Sequence, residues 1–378
     1  MSTPSESSPW SKLKILPIVF VLALFAMLWW RSGSESTSTP PEKVVEVQRL
    51  SESDEHTTTL SGPIFGTRYI VKVNEKLDDI SRGGLQSKIE RHLSQIDEAM
   101  STYKATSEVS RFNALAMGQS VTVSQATAEV LEVALHIGQQ SEGAFDVTVG
   151  PLVDAWGFGP KGGGKAPDEA TLAKLRESVG ASRVLQIDED TRTLVKKVAG
   201  AQLDLSAVAK GYAVDSLMKL LTDREYAGVL VEIGGELRVS GQRGDGKAWK
   251  LGVQNPEGGG AYEVIDAEQG ALATSGDYRN FRVYEGKRVS HTIDPRTGRP
   301  VTHNLASVSV LADNCAAADA WATALTVLGP EQGMKLAEEE RLAVMMLVRQ
   351  DKGFERLTTK LWPTHGQRAH EDSGTAGK

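Results

Sequence analysis

Apolar and polar positions recur with two different periods along most of the chain. Between residues 203 and 208 the apolar side chains are spaced as in a strand, and from Tyr212 to Leu221 they follow one face of a helix. The period changes near Lys210, which predicts a helix that begins directly after a strand. First-turn amides lack intrahelical partners and attract anions, so the junction is a candidate phosphate site to which Asp204 adds a carboxylate. A buried corner in which Lys210 pairs with Asp204 is the alternative.

The same periods predict the other elements. They indicate a strand over residues 62–73, helices over 85–100, around 130–134, over 167–179, over 316–329 and over 330–340, and paired strands over 182–188 and 193–198. Gly234 and Gly235 separate two short apolar runs and predict a hairpin. Both element types are therefore expected, but the pattern alone does not choose a topology.

Composition limits the class of protein. The 378 residues, 40% of them hydrophobic, are enough for one large domain or two fused subdomains. A net charge of -7 and a pI near 5.6 argue against a nucleic-acid partner, because such proteins usually carry a basic patch. Cys315 is the single cysteine, so no intramolecular disulfide can form.

The N-terminal region has the pattern of a membrane anchor. Residues 15–30 form an unbroken apolar run with Lys12 and Lys14 before it and Arg31 after it. The run lacks a following small-residue cleavage site and a cysteine for lipid attachment, which favours an uncleaved signal anchor over a cleaved signal peptide. We therefore predict that residues 1–30 are a cytoplasmic N-terminus with a single-pass anchor in the inner membrane, and that the rest of the chain lies on the periplasmic side.

Polar segments flank the part of the chain that is expected to fold. Residues 31–60 are rich in Ser, Thr, Glu and Pro and too poor in apolar side chains to pack, which predicts a flexible linker. A folded domain is predicted over residues 61–362 and a disordered tail over residues 363–378.

Three stretches carry candidate chemistry. Asp319 and Thr323 are four residues apart on a predicted helix, so a carboxylate and a hydroxyl share one face and form a pair of hard oxygen donors suited to Mg²⁺. An Asp and a Thr with this spacing are more commonly solvated or helix-capping residues than metal ligands. His291 and Asp294 lie in a tight polar turn. Residues 143–160 combine glycines with large aromatics, which suits either a ligand rim or an aromatic-pinned loop.

Seven ordered motifs resemble one family. They are MSTYKATSEVSRFN, FDVTVGPLVDAWGFG, LDLSAVAKGYAVD, VEIGGELRVSG, ATSGDYRNF, HTIDPRTGRPV and ADAWATAL. Together they look like the ApbE family, the FAD:protein FMN transferases, over about residues 60–350. The resemblance implies an extracytoplasmic, Mg²⁺-dependent enzyme that takes FAD as substrate, attaches FMN by a phosphoester to a Thr or Ser of an acceptor protein and releases AMP.

The resemblance also implies a fold and a set of partners. The fold would be α+β, with two intermixed subdomains, mixed sheets and a likeness to the T-fold, behind the N-terminal membrane anchor; FAD would lie in the groove between the subdomains. Residues 61–362 would be the flavin transferase domain. The acceptor would be a flavin-carrying subunit of a membrane redox complex.

Site residues follow from the same resemblance. Asp319 and Thr323 would bind Mg²⁺ through their side chains and Ala207 through its backbone carbonyl. The positions that would contact FAD are Phe65, Tyr103, Ala144, Phe145, Asp146, Asp204, Lys210 and Ile293. Two departures stand out: FGT replaces the usual MGT, which puts Phe65 where a Met commonly touches flavin, and the membrane anchor replaces the usual lipoprotein cysteine. Phe65 can still stack on an aromatic ring.

The implied mechanism is in-line attack by the acceptor hydroxyl on the flavin-side phosphorus. Lys210 and the helix N-terminus would stabilise the developing charge, and His291 and Asp294 are candidate bases for the hydroxyl. A hydrolase that splits FAD into FMN and AMP is an alternative, because it needs the same metal. A non-catalytic flavin-binding module is a second alternative, and the presence of Asp319 and Thr323 counts against it.

Overall fold

The computed structural model describes residues 56–160, 162, 165–224, 226–276, 281–284, 287–363 and 367–368. The strands are β1 (Thr58–Ile64), β2 (Thr67–Val73), β3 (Ser120–Thr122), β4 (Leu185–Asp188), β5 (Thr193–Lys196), β6 (Val229–Ile233), β7 (Glu236–Ser240), β8 (Trp249–Gln254), β9 (Ala261–Ala267), β10 (Gln269–Gly276), β11 (Phe281–Tyr284), β12 (Lys287–Ser290), β13 (Ile293–Asp294), β14 (Arg299–Pro300), β15 (Leu305–Ala312), β16 (Ala343–Arg349), β17 (Phe354–Thr358) and β18 (Gln367–Arg368). The helices are α1 (Asp79–Met100), α2 (Glu108–Ala114), α3 (Gln125–Gln140), α4 (Gly150–Ala155), α5 (Glu169–Arg176), α6 (Ala181–Val184), α7 (Ala209–Thr222) and α8 (Cys315–Glu339).

The largest sheet within these ranges has the strand order β1-β2-β6-β7-β10-β15-β16-β17. Each neighbouring pair of these strands is antiparallel. Short hairpins join β1 to β2, β6 to β7 and β16 to β17, and a hairpin can connect only antiparallel strands. The prediction of mixed sheets is therefore wrong for this sheet.

Apolar residues cover both faces of the large sheet. On one face Val71, Val231 and Val310 pack in the same core as Leu217 of α7 and Leu325 of α8. On the other face a second core contains residues of β7 and β10 together with residues of β8 and β9, namely Leu237, Val239, Leu272, Trp249 and Leu251. The sheet is thus the middle of three layers, between helices and a small sheet. This arrangement places the first turns of α7 and α8 beside the sheet.

A third apolar cluster joins two loops that the sequence marked as candidate chemistry. Leu152, Trp156 and Ile293 belong to this cluster. The indole Nε1–H of Trp156 donates a hydrogen bond of 2.8 Å to the carbonyl of Gly298, and the hydroxyl of Tyr284 donates to the carbonyl of Trp156. The aromatic loop and the turn around His291 are therefore held together by packing and by hydrogen bonds.

Several predicted elements are confirmed. The hairpin at Gly234 and Gly235 is the β6–β7 turn, and the paired strands are β4 and β5. The two predicted C-terminal helices are the halves of α8, which is kinked where Gly329 has a φ of 77° and Pro330 follows. The described residues lie in one compact unit, and the two intermixed subdomains stay a prediction.

Three predicted boundaries need correction. The strand predicted over residues 62–73 is two strands, because Phe65 (φ 51°) and Gly66 (φ 72°) form a two-residue turn. The predicted linker, residues 31–60, ends too late, since Thr58 begins β1 and Leu60 is buried; its Ser- and Thr-rich composition concealed the strand. The predicted tail includes β18, which pairs with β9.

The predicted anchor, residues 15–30, lies outside the described residues, as do residues 31–55 of the predicted linker. Among the helices that the structure does describe, none is both long and apolar enough to cross a membrane.

Candidate active site

Helices α7 and α8 meet at Gly211. A Cβ atom on this residue would lie 2.3 Å from the carbonyl oxygen of Cys315 and 2.8 Å from the Cα of Ala316, so the crossing admits only glycine. The backbone of α8 occupies the space beside it.

Asp215 fixes the start of α8 against α7. Its carboxylate accepts hydrogen bonds of 2.9 Å from the amides of Cys315 and Ala316 and pairs at 2.6 Å with Arg238. The side chain of Asn314 accepts from the next amide, that of Ala317. The first-turn amides of α8 are therefore satisfied by side chains, which sets the position of Asp319 one turn further on.

Lys210 lies between two buried carboxylates. Its Nζ is 2.9 Å from Oε1 of Glu236 and 3.5 Å from Oδ2 of Asp319. The amide of Gly211 donates to the same Oδ2 at 3.2 Å. Asp319 is 5% exposed and Glu236 is 4% exposed, whereas 29% of the Lys210 side chain is accessible. Lys210 thus pairs with these carboxylates, and the predicted alternative of a pair with Asp204 is wrong.

Three oxygen atoms on α8 and on the segment that leads into α7 have no hydrogen bond among those described for the chain. They are Oδ1 of Asp319, Oγ1 of Thr323 and the carbonyl oxygen of Ala207. In a regular helix the amide of Gly211 would donate to the carbonyl of Ala207, but here it donates to Asp319. Two neutral oxygens and one carboxylate with free lone pairs form a suitable donor set for a hard divalent cation. The three predicted metal ligands are those that supply it.

The charges around Lys210 keep it protonated. Burial alone would lower the pKa of Lys210, but the nearby carboxylates of Asp319 and Glu236 raise it above its ordinary value. Burial, followed by the charges of Asp215 and Asp319, raises the pKa of the Cys315 thiol well above its usual range. The cluster therefore offers a permanent cation and no thiolate nucleophile.

The apolar stretch before α7 is not a strand of a sheet. Gln202 makes an isolated parallel bridge with Val149, and Leu203 is held by Asn113, whose side-chain amide donates to the carbonyl of Leu203 and accepts from its N–H. The side chain of Asn113 thus makes the hydrogen bonds that a neighbouring strand would make if this stretch were part of a sheet. The presence of Asn113 in the first motif is the one feature of the sequence that points to this role.

A cavity of about 270 Å³ opens beside this stretch. Its lining includes Thr102, Asn113, Asp154 and Asp204. Oδ1 of Asp204 accepts a hydrogen bond from the amide of Ser206, so its carboxylate also shapes the turn before α7. Tyr103 follows Thr102 and is 73% exposed, which leaves its ring free to contact an aromatic ligand.

The loop over residues 144–146 is more buried than a binding loop requires. Ala144 and Phe145 are almost fully buried, so a ligand can reach only their backbone. Both carboxylate oxygens of Asp146 already accept hydrogen bonds, one from Thr148 and the other from the amide of Ala181. The side chains of these three residues therefore hold the loop in the fold, and their contact with FAD stays a prediction.

The polar turn after β12 carries the other predicted residues. Ile293 is buried, and both carboxylate oxygens of Asp294 accept hydrogen bonds from Arg296. The imidazole of His291 is half-buried, with its ring centroid 6.3 Å from that of Phe158. Arg296 also approaches Gly143, which joins this turn to the loop described above.

Phe65 lies at the turn between β1 and β2. It is half-buried and packs on the main core. The side chain of Thr67, two residues further on, lies close to Gly234. A Cβ atom added to Gly234 would also lie 3.6 Å from Oε2 of Glu236. The turn that carries Phe65 is therefore next to the strand that carries Glu236.

The other predicted residues lie further from the cluster. Among the described hydrogen bonds and ion pairs, none joins Lys210 to Tyr103, Asp204 or His291.

Comparison with known proteins places this geometry in a family. The family model described as "ApbE family" matches residues 65–346. The chain belongs to the ApbE family. The match spans β2 to β16 and so includes α7, α8 and the residues that surround Lys210.

Curated ApbE relatives cover most of the chain. A protein of Vibrio cholerae named "FAD:protein FMN transferase" is 39% identical over 301 residues, which are 78% of this chain and 88% of the relative. A protein of the same name from Haemophilus influenzae is 40% identical over 306 residues, again 78% and 88% of the two chains. The sequence resemblance to this family is thereby confirmed.

Solved ApbE structures share the fold. The flavin transferase ApbE of Vibrio cholerae superposes with a TM-score of 0.72 at 38% identity, covering 80% of this chain and 97% of that one. The apo flavinyl transferase ApbE of Pseudomonas stutzeri gives a TM-score of 0.74 at 37% identity, covering 80% and 95%. The mixed helix and sheet architecture is confirmed, and the likeness to the T-fold stays a prediction.

Proposed function

We propose that this protein is an FAD:protein FMN transferase that joins FMN to a Thr or Ser hydroxyl of an acceptor protein and releases AMP. Membership of the ApbE family and the names of its relatives support this activity. The observation that carries the proposal is the group of three oxygens on Asp319, Thr323 and Ala207 without hydrogen-bond partners in the described chain, next to the ammonium of Lys210. This is the combination that a pyrophosphate substrate with a divalent cation requires.

These three oxygens would hold Mg²⁺. When bound, the ion would neutralise charge on the pyrophosphate and on the departing AMP. The carboxylate of Asp319 supplies the only negative charge of the set, so it carries most of the attraction for the ion. Lys210 adds a fixed positive charge on the same side of the substrate, and the opposing pair with Glu236 keeps its side chain in place.

The chemistry at phosphorus breaks the bond between the two phosphates and forms a new phosphoester. The oxygen of the acceptor hydroxyl attacks the FMN phosphorus and loses its proton, while AMP leaves with the bridging oxygen. Asp294 is a poor acceptor for that proton, because Arg296 binds both of its oxygens. His291 is the better base of the two predicted candidates, since its imidazole is only half-buried and lies beside Phe158 of the aromatic loop.

FAD would lie along the cavity that Asp204 and Thr102 help to line. Tyr103 is accessible for stacking on the flavin ring, and Phe65 can pack against it from the β1–β2 turn. Ala144, Phe145, Asp146 and Ile293 would contribute through their backbone or by shaping the wall.

The location of the enzyme forms part of the proposal. Residues 15–30 would anchor the chain in the inner membrane and hold the transferase domain on the periplasmic side. An acceptor in a membrane redox complex would then share the same membrane, which would raise the effective concentration of the two proteins.

The test is loss of transfer through loss of the cation. Asp319→Ala should abolish transfer at ordinary Mg²⁺ concentration, because a hydroxyl and a carbonyl are neutral and cannot offset the dehydration of the ion. Asp319→Asn keeps the shape and an acceptor for Gly211 and should fail equally, which separates loss of charge from loss of packing. Thr323→Val should need more Mg²⁺ but stay active, because water can replace a neutral ligand.

The measurement is an Mg²⁺ titration of FMN attachment to an acceptor protein, with a parallel assay of free FMN. Normal transfer by the Asp319→Ala variant would place the cation elsewhere. Equal release of free FMN with and without the acceptor would favour the FAD hydrolase instead, and binding of FAD without any product would indicate a non-catalytic flavin-binding module.

A further inference from the structure

Glu236 is a buried carboxylate at the centre of the site that the family resemblance did not assign. It is the first residue of β7, directly after the turn at Gly234 and Gly235. Its Oε1 lies 2.9 Å from Nζ of Lys210, closer than the 3.5 Å between the same Nζ and Asp319. A single ammonium is therefore shared by two carboxylates that are both almost fully buried.

The carboxylate of Glu236 changes the net charge of the cluster. Lys210, Glu236 and Asp319 together carry a net charge of -1. A divalent cation on Asp319 would change the net charge to +1, but without Glu236 the same cation would produce +2. Like charges a few ångströms apart repel strongly where water is partly excluded, so an ammonium next to Asp319 opposes the entry of the cation.

We propose that Glu236 is a positioning residue that allows Lys210 and the divalent cation to occupy the same site. It holds the ammonium on the β7 side through the shorter ion pair and offsets its charge, which leaves Asp319 available to the cation. This inference rests on the proposed function in one respect only, that a divalent cation binds at Asp319.

The experiment measures Mn²⁺ binding to the flavin-free, full-length protein by electron paramagnetic resonance. Glu236→Gln keeps the shape of the side chain but removes its charge, and it should weaken Mn²⁺ binding roughly tenfold. Lys210→Met removes the repelling charge and should bind Mn²⁺ at least as tightly as the wild type. The double variant restores the net charge of -1, so its affinity should return to near the wild-type value.

Glu232→Gln is the matched control. Glu232 lies on the same hairpin, is also buried and accepts a hydrogen bond of 2.6 Å from the amide of Gly235. Glu232 pairs with Leu237 of the second core, whereas Glu236 pairs with Ile233 of the main core, so the two carboxylates lie on opposite faces of the hairpin and Glu232→Gln should leave Mn²⁺ affinity unchanged. Thermal melting in the presence of a chelator checks that each variant folds.

The outcomes separate this inference from the proposed function. If the wild type binds no Mn²⁺, or if Asp319→Ala binds it equally well, the proposed cation site fails and the role of Glu236 fails with it. If the wild type binds Mn²⁺ and Asp319→Ala does not, but Glu236→Gln binds normally, only the role of Glu236 is overturned. The same holds if the double variant remains as weak as Glu236→Gln.

Discussion

Gly211 allows the backbones of two helices to touch. The space that a Cβ would need is filled by backbone atoms of Cys315 and Ala316, which cannot move without shifting α8. The pattern of apolar and polar residues does not reveal this contact, because Gly211 and Cys315 are more than a hundred positions apart in the sequence. The glycine of this motif therefore serves packing and not phosphate approach.

Gly211→Ala should lower the free energy of unfolding by about 3 kcal/mol or more, because overpacking against backbone is relieved only by separating the helices. Cation affinity should fall with it, since Asp319 moves with α8. The matched control is Gly84→Ala in α1, where nothing lies within 4 Å of the added Cβ; it should stabilise the protein by up to about 1 kcal/mol. Urea denaturation measures both, and a neutral Gly211→Ala variant would contradict the close contact.

The candidate metal ligands form a pattern that is local in sequence, whereas their partners do not. Asp319 and Thr323 are recognisable because i and i+4 residues share a helical face, a local relationship that a sequence displays. Glu236 lies on a distant strand, and its pairing with Lys210 depends on which strand lies beside α7. Likewise, the two hydrogen bonds between the Asn113 side chain and the backbone of Leu203 take the place of a β ladder. Nothing local in the sequence distinguishes an asparagine with this role from one that is exposed to solvent.

At the scale of elements, α1 and α7 are joined by a partly buried polar contact. Nε2 of His92 lies 2.8 Å from Oγ of Ser216. Burial lowers the pKa of His92 below its ordinary value, so the folded protein binds this proton less readily than the unfolded chain does. The stabilising contribution is complete above the unfolded pKa, near 6.5, and is lost as the pH falls below it.

We expect His92→Gln to flatten the acid limb of the stability profile. Between pH 7 and pH 5 the wild type should lose stability faster than the variant, with a difference in slope of no more than about 1.4 kcal/mol per pH unit, the limit for one proton. Chemical denaturation at a series of pH values gives both profiles. Parallel profiles would show that His92 titrates as it does in the unfolded chain.

Elements were predicted well where one period was unbroken, as in α3 and the two halves of α8. The first residues of β1 were missed because Thr59 and Ser61 are exposed at the edge of the sheet, and the composition of this stretch resembles that of a linker. The antiparallel order of the large sheet was beyond prediction, since it depends on long-range pairing between β7, β10 and β15.

At the scale of the whole molecule, the orientation of the chain relative to the membrane is testable without a flavin assay. A reporter that is active only outside the cytoplasm, fused after residue 55, should be active. A cytoplasmic reporter at the same position should be silent, because Lys12 and Lys14 favour retention of the N-terminus inside. Residue 55 is preferred to residue 60 because β1 begins at Thr58.

The control is the same fusion with the apolar run interrupted by two charged residues, which should reverse the result for both reporters. A cytoplasmic signal from the unaltered fusion would refute the proposed orientation, and with it the proposal that the acceptor lies outside the cytoplasm.

The contact between Gly211 and Asp319 joins residues 108 positions apart. Closing so long a stretch of chain has a large entropic cost, and the cost is met only when the sheet and both helices pack together. A ribosome that has not yet released α8 therefore carries a chain with Lys210 and Glu236 but without Asp319, the carboxylate of the proposed cation site. We therefore expect flavin transfer to start only after the C-terminal part has been made and folded, and a protein truncated before α8 to be inert in spite of a complete β6–β7 hairpin.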